Sequence, residues 1–422
     1  MAPTLKPLLL ASTVAALLSG CGESTSSSAG ENFADNKNDV VTSFDQKALL
    51  VNLTDNVITP TFEAFADKAQ SLPSQIKAYC DLETAYDPSM QDDAAKQALD
   101  AAKQVSQDAW REAMISWQHA ELMIVGPLLD NDKALRNDIY SWPQASTCSV
   151  DQDVVFFEQG NVNGTAYNIR NRSDKRKGLD ALEYLLFNEN QDYSCSAIAA
   201  GDILDDWNTR SEQLRKVARC NFAVEVASDL SHSAQTLINH WNGEQGYSQV
   251  LKNAGEPGNK FTTQTKAINE ISDALFYMTE ELKDYKLATP LGLFANSCGL
   301  EACPQEVESV YAKHSIENIK ANIEVFEKLF LGGSSESNST GFDDFLDEQQ
   351  ASDTKQTMLQ GIANAKAAAN ALEGNLQSAL TNDKASVTNT HTQVKSVTDQ
   401  LKNDFINKLA LELPKTSAGD ND

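Results

Sequence analysis

The feature that most constrains the fold of this chain is a series of long segments in which apolar residues recur every three or four positions. In the longest, 97–129, this spacing continues for more than about five turns of a helix. The segments 207–240, 262–286 and 314–331 repeat the pattern, and alternating, strand-like sequence is rare. We therefore predict an all-α protein in which each helix turns one apolar stripe toward a core.

The segment 177–187 combines such a stripe with two acidic side chains. Its leucines lie on one face of the predicted helix, and Asp180 and Glu183 lie next to that face. Neighbouring carboxylates repel each other and favour a nearby cation, which would be an arginine, a lysine or a metal ion. The basic segment 170–177, which contains Arg176, is one source of such a partner. The alternative is that both acids are solvated surface groups.

The N-terminus has the pattern of a bacterial export signal. A lysine precedes an apolar run, 8–18, that is too short to span a bilayer. The run ends in Leu-Ser-Gly-Cys, so we predict a signal peptide over 1–20 and a lipid on Cys21, with an ordinary signal peptide as the alternative. Residues 21–42 are rich in serine, glycine and acids and are predicted to be a disordered tether. The residue after the cysteine is glycine, which favours an outer-membrane lipoprotein whose folded body lies in the periplasm or at the cell surface.

The cysteine count predicts disulfides. Of seven cysteines, six follow Cys21, and an even number in an exported chain is typical of paired thiols. The short loop between the last two makes them the safest pair, and the other four are paired here by the most economical choice. The resulting pairs are Cys298–Cys303, Cys195–Cys220 and Cys80–Cys148. A zinc cluster is not expected, because no C-x-x-C pair occurs.

The charge balance limits the partners that this chain can bind. Its 60 acidic residues against 34 lysines and arginines give a formal net charge of −26. Nucleic-acid binding requires a basic surface, so we expect no nucleic-acid partner. An acidic chain is instead compatible with cation binding and with high solubility.

The acidic pair lies in the sequence Gly-x-Asp-x-x-Glu-Tyr-Leu-Leu-Phe, which begins at Gly178. This sequence resembles the signature of the imelysin family, which is Gly-x-His-x-x-Glu followed by an apolar run. Gly178 and Glu183 match the signature. Asp180 stands where the better-known members carry histidine, so their His-and-Glu metal site does not simply carry over.

Further segments extend the resemblance over about 45–412. Trp117 and Glu121 precede a Gly-Pro pair, Trp142 and Pro143 resemble the family's Trp-Pro element, and Asn322 ends a helix segment before a glycine-rich turn. The family fold implied by the resemblance is two up-and-down four-helix bundles. We accordingly expect a first helical domain over 43–240, which carries the motif, and a second over 241–415.

The resemblance implies two kinds of function. One is the metal-dependent peptidase activity that gave the family its name. A zinc peptidase usually needs HExxH or an equivalent ligand set, and none of the five histidines belongs to one, so we do not expect an enzyme. The other is a binding protein of iron or haem acquisition, which would work with other uptake components. A structural or adhesion lipoprotein without a small ligand is the third possibility.

The binding hypothesis predicts a site for a divalent or iron cation. Carboxylates suit such ions, and helical bundles build sites between facing helices. Asp180, Glu183 and Glu121 would then converge in the first bundle, and His314 would join them if the bundles meet there. Gly178, Trp142, Pro143, Arg176 and Asn322 are the expected neighbours of this site.

We predict that the mature protein begins at Cys21 and carries acyl chains. The reason is the Leu-Ser-Gly-Cys sequence directly after a short apolar run. Mass spectrometry of the N-terminal peptide is expected to show acyl mass on this cysteine. An unmodified N-terminus at Glu23 or later would contradict the prediction.

Overall fold

The structure is a computed structural model that describes residues 42–334 and 339–414, and these are mainly helical, as predicted. The predicted signal peptide, Cys21 and nearly all of the predicted tether lie outside the described residues. No helix within the described ranges is long and apolar enough to cross a bilayer.

Regular elements follow one another with short connections. The helices before residue 253 are α1 (Gln46–Asn52), α2 (Thr59–Ala85), α3 (Asp93–Glu121), α4 (Asp130–Ile139), α5 (Thr147–Gln159), α6 (Gly178–Phe187), α7 (Ala197–Ala200), α8 (Glu212–Trp241) and α9 (Tyr247–Lys252). Those after it are α10 (Gln264–Leu275), α11 (Thr289–Leu291), α12 (Ser315–Phe330), α13 (Phe342–Glu348), α14 (Ser352–Asn370), α15 (Leu376–Asn382), α16 (Lys384–Gln400) and α17 (Ile406–Leu409). The π-helical segments are Leu53–Ile58, Met278–Ala288 and Leu401–Phe405. A small antiparallel hairpin pairs β1 (Asn161–Val162) with β2 (Thr165–Ala166).

The long helices pack in two groups that share one core. In the first group, α2 packs against α3 and α8, and α6 packs against α8 and α3. In the second group, α14 packs against α16 and α12, and the segment Met278–Ala288 packs against α16 and α12. Contacts between α3 and α12 join the groups, and buried apolar residues form one continuous cluster from Leu49 to Leu411. The division into domains at residue 241 therefore stays a prediction.

Helix boundaries depart from the apolar spacing where the backbone chemistry requires it. The helix predicted over 97–129 ends at Glu121, shortly before Gly126, which has a left-handed φ of +52°, and Pro127, which has no N–H to donate. The segment predicted as one helix over 262–286 is α10 followed by a π-helical segment. The helix predicted from residue 207 begins at Glu212, because Ser211 caps its first turn.

All six described cysteines form disulfides, but two of the three pairings differ from those expected. Cys298–Cys303 is present. The pairings Cys195–Cys220 and Cys80–Cys148 are wrong. The structure instead has Cys80–Cys220, with Cα atoms 5.4 Å apart, and Cys148–Cys195, with Cα atoms 4.5 Å apart. The physical reason is that α2 and α8 pack side by side, so Cys80 lies next to a residue 140 positions away.

We predict that the Cys80–Cys220 disulfide contributes more stability than the Cys298–Cys303 disulfide. It closes a loop of 140 residues rather than five, and the entropy removed from the unfolded chain rises with loop length. Cys80→Ala/Cys220→Ala should lower the free energy of unfolding by about 2–5 kcal/mol in urea titrations. The matched control is Cys298→Ala/Cys303→Ala, and a larger loss in this control would contradict the prediction.

Candidate functional site

The glycine of the motif is fixed by a close approach between two helices. Gly178 begins α6 with a left-handed φ of +83°, and a Cβ atom there would lie 2.6 Å from the carbonyl oxygen of Ile139 at the end of α4. A side chain would therefore be strained and would push the helices apart. The Trp110 indole N–H also donates to the Leu179 carbonyl over 2.8 Å, which fixes α6 on α3.

Asp180 and Glu183 connect α6 to two different loops. The N–H and hydroxyl of Ser141 donate to Asp180 Oδ2 over 3.0 and 2.7 Å. The N–H groups of Tyr311 and Ala312 donate to Glu183 Oε1 over 2.8 and 2.9 Å. The first loop follows α4 and the second precedes α12, so the acidic pair lies where the two helix groups meet. The pair is therefore not a solvated surface feature, which was the alternative interpretation.

Neither acid forms an ion pair with a lysine or arginine among the described residues. Burial raises the pKa of Asp180 to about 6, although its hydrogen bonds with Ser141 act in the opposite direction. Burial raises the pKa of Glu183 to about 8, and repulsion from Glu308 and Asp180 adds to the effect. Near pH 7 the Glu183 carboxyl is therefore mostly protonated, whereas Asp180, with the lower pKa, is mostly ionised.

The basic segment before α6 pairs with other acids, so the expected role of Arg176 is wrong. Arg172 and Arg176 both bind Asp153 on α5, at 2.7 and 2.8 Å. Lys177 lies 2.9 Å from Asp138 and 3.5 Å from Asp229. Spacing along the chain could not show this, because the partners come from α4, α5 and α8.

The acidic pair opens on a cleft of about 250 Å³ between the two helix groups. Trp142 and Pro143 form part of its lining, as the resemblance implied. The other side of the cleft is formed by the segment Met278–Ala288 with the start of α11, and by the loop that precedes α12. That side is lined by Tyr285, Thr289, Gln305, Glu306, Val307, Glu308, Val310 and Tyr311.

Glu121 does not join this cleft, so its predicted place beside Asp180 and Glu183 is wrong. Its fully buried carboxylate binds the Arg136 guanidinium over 2.5 Å and accepts a hydrogen bond from the Tyr277 hydroxyl over 2.7 Å. Arg136 extends toward Glu281 at 3.9 Å. Glu121 lies away from the predicted site because Arg136 on α4 neutralises its charge in the core.

Glu308 also lines the cleft, and it was not among the residues predicted for the site. Its side chain is only 1 % exposed, and its Oε1 accepts from Lys286 Nζ at 3.0 Å, Gln118 at 3.0 Å and the Tyr140 hydroxyl at 2.9 Å. Its Oε2 has no hydrogen-bond partner in the part of the chain that the structure describes. The one sequence signal was an acid between apolar neighbours in Val307-Glu-Ser-Val310.

Asn322 and His314 do not line the cleft, and both contact buried residues instead. Asn322 accepts from Lys286 Nζ over 2.9 Å and donates to the Gln118 carbonyl over 2.9 Å. The His314 ring packs edge-on against Trp110, and burial lowers the pKa of His314 to about 4. The predicted convergence of His314 with the three acids is not present.

A resident metal ion does not fit this donor set. Within residues 42–334 and 339–414, no group of three or more histidine, cysteine or acidic side chains is arranged to hold one. Glu183 Oε1 is occupied by two amide groups, and Glu308 Oε1 is held by Lys286. A carboxyl group that keeps its proton near pH 7 is also a poor metal ligand.

We predict that Glu183→Gln stabilises the protein at neutral and alkaline pH. The pKa of Glu183 rises from 4.5 to about 8 on folding, so its contribution to stability is fully present below about pH 4.5 and is lost as the pH rises through 8. Glutamine cannot ionise and can still accept both N–H groups. Urea unfolding should show a gain on the order of 2 kcal/mol near pH 9 and almost none near pH 4. The exposed Glu373→Gln is the control, and a pH-independent effect of Glu183→Gln would refute the interpretation.

Comparison with known proteins agrees with this description. The sequence model of the family described as Imelysin matches residues 58–403. The chain is 24% identical over 366 residues to Iron-regulated protein A of Synechococcus elongatus, covering 84% of this chain and 86% of that protein.

Two solved structures share the fold. One, from Parabacteroides distasonis, is described as an iron-regulated protein A precursor; its TM-score is 0.62 at 15% identity, over 86% of this chain and 95% of that one. The other is an imelysin-like protein from Psychrobacter arcticum. Its TM-score is 0.56 at 15% identity, and the match covers 89% of this chain and 99% of that one. Since the family model covers most of the sequence, and the signature residues Gly178 and Glu183 have defined structural roles, the chain belongs to the imelysin family.

Proposed function

We propose that this protein is a cell-envelope binding protein that serves iron acquisition, and that its ligand occupies the cleft between the two helix groups. The observation that carries the proposal is the pair of acids, Asp180 and Glu183, which line a cleft without an ion-pair partner among the described residues. Buried charges are normally paired, so an unpaired acidic pair that lines an open cleft is typical of a binding site.

The link to iron rests on similarity. Iron-regulated protein A is the name of a relative that covers most of this chain. Iron would be the cargo, either as the ion or within a carrier such as haem, rather than a resident cofactor. The predicted lipid on Cys21 would hold the protein at the outer membrane, where such cargo arrives, and uptake components of the envelope would be its partners.

The geometry supports a binding role better than a peptidase. No histidine lies in the described lining of the cleft, so none stands beside Glu183 to hold a catalytic zinc ion. Three motif residues shape the cleft rather than bind the ligand. Gly178 allows α6 to approach α4, and Trp142 and Pro143 line one side of the cleft.

The proposal predicts a growth defect that depends on iron supply. Cells carrying Asp180→Asn/Glu183→Gln in place of the native gene should grow more slowly than wild type in iron-chelated medium and equally well in iron-replete medium. The substitutions keep side-chain size and hydrogen-bond acceptors, so protein abundance, checked by immunoblot, should be unchanged. Cells carrying Glu373→Gln should grow like wild type in both media. Equal growth of all strains under iron limitation would overturn the proposal.

A further inference from the structure

We propose that the group recognised in the cleft is an organic cation with N–H donors, a primary ammonium or a guanidinium, held between Glu183 of the first helix group and Glu308 of the second. The inference rests on the proposed function, because it assumes that the cleft is the ligand site. It adds the chemical class of the group by which an organic carrier of iron would be recognised, and a specificity residue, Glu308.

The first argument is the unused oxygen of Glu308. Three donors converge on Oε1, from Lys286, Gln118 and Tyr140, and these partners fix the carboxylate in one orientation. The side chain is almost fully buried and belongs to the cleft lining, yet Oε2 receives no hydrogen bond from the described residues. A buried acceptor without a donor is unfavourable, and a ligand N–H would recover this cost.

The second argument is the charge of the lining. Asp180, Glu183, Glu306 and Glu308 line the cleft, and no lysine or arginine does so within the described parts of the chain. Glu308 and Glu183 are close enough for mutual repulsion to be among the causes that raise the pKa of Glu183. A cation between them would relieve this repulsion and would connect the two helix groups.

The third argument is the aromatic content of the walls, which distinguishes an organic cation from a hydrated metal ion. Trp142, Tyr285 and Tyr311 line the same cleft. Aromatic faces attract ammonium and guanidinium groups and contact the alkyl or aryl parts attached to them. A metal ion would need at least three converging ligand side chains, and the described residues present no such group.

The test is isothermal titration of the exported protein, with its disulfides intact, using four organic probes. Phenethylammonium and N-phenethylguanidinium carry the proposed group, phenethyltrimethylammonium carries the charge without N–H donors, and phenethyl alcohol carries neither. We expect the first two to bind with Kd below about 1 mM, a plausible limit for ligands of this size. The trimethyl and alcohol analogues should bind at least about tenfold more weakly, because they cannot satisfy both carboxylates.

Variants assign the binding to the cleft. Glu183→Gln and Glu308→Gln should each weaken phenethylammonium binding at least about tenfold. Glu308→Gln also removes the negative charge that pairs with buried Lys286 and could disturb folding. Tyr285→Leu is therefore a second variant that tests the cleft. Tyr285 is 38% exposed, so its loss should leave folding intact and weaken binding several-fold through the lost ring. Glu373→Gln should bind like wild type.

The outcomes separate the two proposals. Ammonium or guanidinium binding that depends on Glu183 and Glu308 supports this inference. Binding of Fe²⁺ or Zn²⁺ that depends on Glu183, with no binding of the organic cations, overturns this inference and leaves the proposed function standing. Equal binding of the trimethyl analogue also overturns it, because hydrogen-bond donation would then play no part. A growth defect under iron limitation without any organic-cation binding would likewise retain the function and reject this ligand class.

Discussion

The contact between the two helix groups depends on a buried network of charges. Glu121 pairs with Arg136, and Lys286 pairs with Glu308, all with side chains at most 8 % exposed. Removing such charges from water costs several kcal/mol per ion, and it is offset only when every hydrogen-bonding position is filled. Gln118 fills several of these positions. Its side chain donates a hydrogen bond to Glu308 and accepts one from Lys286, and its backbone carbonyl accepts one from the Asn322 side chain. The network therefore specifies one arrangement of α3 and α12.

At the candidate site this compensation is incomplete. Glu308 Oε1 accepts hydrogen bonds from Lys286 and its neighbours, whereas Oε2 has no partner in the part of the chain that the structure describes. Asp180 and Glu183 accept hydrogen bonds from backbone and hydroxyl donors, but no lysine or arginine of the described residues pairs with them. Among the described residues, folding thus leaves two acids without an ion pair and one Glu308 oxygen without a hydrogen bond in the same cleft. A ligand that supplies positive charge would complete the contact between the helix groups, so binding and the rigidity of the interface are physically linked.

The fold class and most long helices could be predicted from the sequence, because helical spacing and capping are local properties. The acidic pair of α6 and the Trp-Pro wall could also be predicted, because both lie in short motifs. Glu308 could not be predicted, since its role requires Lys286 and Tyr140 to approach from distant segments. Glu121 was misplaced for the same reason: its partner Arg136 lies 15 residues away on another helix. The disulfide pairings failed because economy of loop length does not indicate which helices pack together.

By itself the sequence determined that this chain is helical, acidic and a member of the imelysin family, and that α6 carries two acids beside a buried leucine stripe. These properties depend on composition, on three- and four-residue periodicity and on contiguous motifs. The tertiary structure alone decided which charges neutralise each other, which cysteines meet, and that Glu183 and Glu308 line the same cleft. Long-range packing brings together residues more than 100 positions apart, and Coulomb and desolvation energies depend on those distances in space rather than on spacing along the chain.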